Sequence, residues 1–104
     1  MLPKLVRDNI PEIIKNSGKQ ASLRTVKDKE LEIFLIRKMV EEVSEFEDTP
    51  TLEEAADIYE VFLAFLDNWN LEFSEVKEAA RIKRNKRGSF QNGLILEEVY
   101  TAEK

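Results

Sequence analysis

Glu41-Glu42-Val43-Ser44-Glu45-Phe46-Glu47-Asp48-Thr49-Pro50-Thr51-Leu52-Glu53-Glu54-Ala55-Ala56-Asp57 is the stretch whose reading decides the fold. It holds eight carboxylates, and no lysine or arginine occurs between Met39 and Val76. Like charges crowded this way repel, so they need solvent and salt on an open surface or divalent cations in a cleft. Spacing favours the cleft. Glu41, Glu42 and Glu45 fall within about a 100° arc at roughly 100° per helical residue. Glu54 and Asp57, three positions apart, share a side of the next helix. The intervening Glu47-Asp48-Thr49-Pro50-Thr51 is a break, with Pro50 suited to a first helical turn and Thr49 or Thr51 to its cap. In an antiparallel hairpin folded about that break, Glu45 lies level with Glu54 and Glu42 with Asp57. With axes about 8–10 Å apart, the four carboxylates can close on a small cation cluster.

Working outward, the upstream helix is expected from about Lys29 to Phe46, with Asp28 as its cap. Leu31 and Phe34 point within roughly 40° of the mean direction of Glu41, Glu42 and Glu45. The acids thus continue a side that begins as core, while Met39, Val43 and Phe46 cover another sector. The competing local use is ion pairing at i,i+4, Arg37 with Glu41 and Lys38 with Glu42, which leaves Glu45 unexplained. The downstream helix is expected from about Thr51 to Asn68. Thr51 with Glu54 also matches a capping box, a structural use of Glu54, and Asp57 shares a stripe with Glu53, Glu60 and Asp67. Beyond Asp57 the helix is apolar around most of its circumference, through Ile58, Tyr59, Val61, Phe62, Leu63, Phe65, Leu66 and Trp69. Such a helix must bury more than one face, and self-association does that in a small domain.

The two ends of the chain differ in charge. Lys4-Leu5-Val6-Arg7-Asp8-Asn9-Ile10-Pro11-Glu12 opens extended and turns helical at Pro11, with Gly18 as the stop. Arg7 and Asp8 could pair with each other or reach a site. Ser74 can cap a last helix over Glu75 to about Asn85. In residues 77–88, six cations against the single Glu78 give a net charge of +5. Cations at a helix C-terminus answer its dipole, or they can clamp an anion, with Gly88 allowing close backbone approach. Residues 21–26 alternate weakly, and Asn92-Gly93 precedes an apolar run, so a small β appendage to the helices is expected.

Composition narrows the chemistry. The 104 residues make one domain, 1–104; 36% are charged and the net charge is −5. That balance argues against duplex nucleic acid as the main partner. Cysteine and histidine are absent, which removes thiol, disulfide and imidazole chemistry. No apolar run reaches about 18 residues, so neither a membrane nor a secretory route is expected, and a cytoplasmic location is. An acidic cluster for metal beside a basic segment for phosphate suits a nucleotide polyphosphate. The expected architecture is all-α, a bundle of about four helices around an antiparallel hairpin, assembled as a homo-oligomer.

Glu41-Glu42-x-x-Glu45 followed by Glu54-x-x-Asp57 resembles the EExxE…ExxD signature of the all-α nucleoside triphosphate pyrophosphohydrolases. That superfamily includes MazG, the dimeric dUTPases and phosphoribosyl-ATP pyrophosphohydrolase. The opening Lys4 to Glu12 and Lys86-Arg87-Gly88-Ser89-Phe90 look like a MazG-like, phosphoribosyl-ATP-pyrophosphohydrolase-like subgroup. The resemblance implies a Mg²⁺-dependent (or Mn²⁺-dependent) hydrolase, dimeric or tetrameric, that cleaves a nucleoside triphosphate between its α and β phosphates. It implies Glu42, Glu45, Glu54 and Asp57 as metal ligands, with Glu41 or Glu45 taking the proton from water. Lys83, Arg84, Lys86 and Arg87 would bind phosphates, and Arg7, Asp8, Trp69 and Phe90 are candidates for holding the base. Clearance of non-canonical nucleotides is one role this implies. A phosphoribosyl-ATP hydrolase and a non-catalytic helical binding module are the alternatives.

Overall fold

The computed structural model describes residues 2–102. It contains four helices, α1 (Ile10–Asn16), α2 (Asp28–Asp48), α3 (Leu52–Asn68) and α4 (Phe73–Arg87). Among the described residues there is no strand, so the expected β appendage does not form. A strand requires a ladder partner for its backbone groups. Neither segment has one, and Leu94, Ile95 and Leu96 remain exposed instead. The chain divides into two compact units, one through Glu72 with α1, α2 and α3, the other from Phe73 with α4.

The helix ends show how local chemistry sets the boundaries. α1 has Pro11 in its first turn and stops at Gly18, whose φ of +85° is a left-handed conformation that glycine adopts without strain. α2 begins one residue earlier than expected. Asp28 does not cap it: Lys27 takes the cap position in extended geometry, and Asp28 itself sits at φ +53°. Aspartate is among the few residues that tolerate that region. Thr51 is the cap of α3, its Oγ1 accepting the Glu54 N–H at 3.3 Å. Pro50 therefore precedes the cap rather than entering the first turn. α4 starts at Phe73, so Ser74 lies inside the helix rather than capping it.

α2 and α3 pack on one another. The buried apolar residues are Phe34 and Leu35 of α2 and Leu66 of α3. Arg24 and Arg37 both lie over the Phe34 ring, at 5.8 and 5.6 Å, which covers an aromatic face with cations at the edge of this small core. On α3, Phe65 and Trp69 stack one turn apart with centroids 4.3 Å apart. The other large apolar residues of α3 stay partly exposed. Among the described residues, no helix is long and apolar enough to cross a membrane.

Candidate functional site

The carboxylates of Glu42, Glu54 and Asp57 converge, each offering an oxygen within 4.8 Å of the others. Glu42 comes from α2, while Glu54 and Asp57 stand one turn apart at the start of α3. Only Thr49, Pro50 and Thr51 separate the two helices in the chain. Glu42 is 8% exposed, the one charged residue in the core among the described residues. Burying a charge is costly unless it is paired. Lys38, one turn back on α2, supplies that partner with its Nζ 3.1 Å from Glu42.

The capping-box role for the Glu54 side chain is not realised. In that motif the glutamate reaches back to the cap residue's N–H. Here the Thr51 N–H donates to the Thr49 carbonyl at 2.8 Å, so only the Glu54 backbone serves the cap. Its carboxylate has no ion-pair partner among the described residues. Partial desolvation, then the neighbouring charges of Asp57, Glu45 and Glu42, hold its pKa above the ordinary carboxylate value.

Glu41 is in the opposite condition. Desolvation alone would raise its pKa, but the nearby Lys38 ammonium and then Lys4 outweigh this and bring it below the ordinary range. Lys38 and Lys4 each stand 3.4 Å from Glu41. Lys38, mostly buried between two glutamates, loses by desolvation. Its hydrogen bond to Glu42 and its attraction to both acids more than compensate, so its ammonium form is favoured. Of the two expected local pairs, Lys38–Glu42 forms, whereas Arg37 turns to the Phe34 ring.

Arg7 reaches the site from the opening segment, its Nη2 2.7 Å from an oxygen of Asp57. It pairs with α3, fifty residues away, rather than with adjacent Asp8. A cavity of about 830 Å³ lies in this unit, with Lys4, Arg7, Asp8, Lys38, Glu42 and Asp57 among its polar lining residues. Leu5, Leu31, Leu35 and Val61 are among its apolar lining residues.

The remaining expected residues are distributed differently. Glu45 is exposed and outside the converging group, although its charge is felt at Glu54. Trp69 stacks on Phe65, and Phe90 is 99% exposed. Lys83, Arg84, Lys86 and Arg87 are exposed on the last turns of α4, in the second unit. Sequence reasoning passed over Lys4 and gave Lys38 only a local role. The spacing of Lys38 from Glu41 and Glu42 was a usable signal, but nothing local links Lys4 to a glutamate 37 positions away.

Compared with known proteins, the chain matches no family model, no curated protein and no solved structure.

Proposed function

We propose that this protein is a MazG-like nucleoside triphosphate pyrophosphohydrolase that uses Mg²⁺ to release pyrophosphate from its substrate and leave the monophosphate. The observation that carries this reading is the convergence of Glu42, Glu54 and Asp57 from two helices. The donor set fits the ion: Mg²⁺ prefers oxygen ligands, keeps several waters, and is usually held by a few carboxylates together with substrate phosphates. Charge fits too. Within the converging group Lys38 pairs with Glu42 and Arg7 with Asp57, while Glu54 has no ion-pair partner among the described residues, so the group keeps net negative charge for a cation. In this reading α2 and α3 form an antiparallel hairpin, and the chain is a homo-oligomer.

When bound, Mg²⁺ supplies polarisation of the phosphate oxygens and of the attacking water. The chain's own residues do the rest. Glu42 and Asp57 are held in place by Lys38 and Arg7. Glu45, exposed and without an ion pair among the described residues, is better suited to take the proton from water than Glu41, whose two lysines weaken it as a base. Arg7 is half exposed and can pass from Asp57 to a phosphate oxygen, since its planar fork matches both. The cavity beside the cluster, lined in part by apolar residues, accommodates the nucleoside.

A panel of nucleotides with Mg²⁺ tests this. Pyrophosphate release from canonical or damaged triphosphates is expected; release from phosphoribosyl-ATP alone would move the protein to a histidine-synthesis hydrolase. No release from any member would favour a non-catalytic helical module.

A further inference from the structure

α2 carries apolar residues on two opposite sides. The side that packs inward carries Lys38 and the buried Glu42 alongside Phe34 and Leu35. The opposite side carries Ile33, Ile36, Val40 and Val43, which remain 45%, 49%, 64% and 50% exposed. Their spacing of three, four and three residues is the a/d pattern of a helix–helix seam. At roughly 100° per residue they fall within about an 80° arc. Lys29 and Glu47 lie on the same arc, one at each end of the stripe. Only three large apolar residues are buried in the chain's described part, too few for a domain of this length to be stable alone.

We propose that this stripe is the contact surface for a second copy of the same chain, with the two α2 helices antiparallel across a two-fold axis at residue 38. That register pairs a with d positions throughout. Ile33 meets Val43 of the partner subunit, and Ile36 meets Val40 of the partner subunit. Lys29 then faces Glu47 of the partner subunit, at both ends of the seam. A parallel pairing would set Lys29 against Lys29 and Glu47 against Glu47, so charge selects the antiparallel arrangement. An isologous contact of this kind closes on itself and leaves the carboxylate face of α2 turned away from the seam. Self-association is expected from the apolar girth of α3; the proposal places its surface on α2 instead and gives it a register. It does not depend on the hydrolase chemistry.

The chain has no cysteine, so oxidative cross-linking reads the register cleanly. Positions 33 and 43 of one helix are about 15 Å apart, beyond disulfide reach, so any bond between them joins two chains. The expected result is a mass of at least twice the 12.1 kDa chain in sedimentation. With it, Ile33→Cys/Val43→Cys forms a covalent dimer under mild oxidation, and neither single cysteine variant does. Lys29→Glu is expected to weaken association several-fold, and Lys29→Glu/Glu47→Lys to restore it. A monomeric mass at every concentration would overturn both the seam and the self-association. An oligomer in which Ile33→Cys alone cross-links, or the double variant does not, would overturn the antiparallel seam only.

Discussion

Glu41 on α2 and Glu54 on α3 belong to one acidic stretch, yet their surroundings push them in opposite directions. Glu41 sits between the Lys38 and Lys4 ammonium groups and ionises more easily than an ordinary glutamate. Glu54 faces Asp57, Glu45 and Glu42, has no ion-pair partner among the described residues, and ionises less easily. The acidic stretch is therefore not a uniform surface. Glu41 is neutralised by the chain's own lysines, whereas in the converging group Lys38 and Arg7 answer Glu42 and Asp57 and leave Glu54 without an ion-pair partner among the described residues. A cation is useful only in that group, which is where three carboxylates converge.

The largest expected consequence is in activity. Glu54→Gln should lower Mg²⁺-dependent pyrophosphate release by about a hundredfold while leaving the helical circular dichroism unchanged. Glu41→Gln should stay within about fivefold of the parent, as expected when a surface ion pair is lost. Equal losses in the two variants would erase the distinction between the two regions.

A smaller, opposite pair of effects is expected in stability without divalent ions. Glu54 has a folded pKa above its ordinary value of 4.5. Between those two values the folded state binds more protons than the unfolded state, so stability falls as pH rises through the window. Glu54→Gln should therefore be more stable than the parent at pH 7, and the gap should close below about pH 4.5. Glu41 has a folded pKa below 4.5, so its contribution is present above 4.5 and is lost as pH falls through the folded value. Glu41→Gln should be less stable at pH 7 by about 0.5 kcal/mol, allowing for solvent screening, and indistinguishable at low pH. Chemical denaturation at several pH values reads both.

Much of this was legible in the chain. The helical periods placed α2 and α3 to within about two residues, because the break at Thr49-Pro50-Thr51 is chemically explicit. Glu42, Glu54 and Asp57 could be brought together on paper because helix geometry is regular. Glu45, level with Glu54 on the same reasoning, is exposed instead. Level position along an axis does not ensure that a side chain turns toward the neighbour: Glu42 is buried while Glu45, three residues on, is exposed. The cationic frame was largely hidden. Arg7 and Lys4 reach the acids across long stretches of chain, and sequence spacing carries no signal for such contacts. The β appendage failed for a related reason: alternation in residues 21–26 marks a segment able to pair, not one that has a partner. Asp28 had the right chemistry for a cap, but the backbone turned one residue earlier.

Manganese binding followed by electron paramagnetic resonance tests the central claim most directly, because it reads the ion without requiring the correct nucleotide. The protein should take up Mn²⁺ with Mg²⁺ competing for the same place, and Glu54→Gln and Asp57→Asn should each weaken that uptake by at least about tenfold while Glu41→Gln leaves it nearly unchanged. No uptake at millimolar ion, or uptake that both substitutions leave intact, would contradict the account.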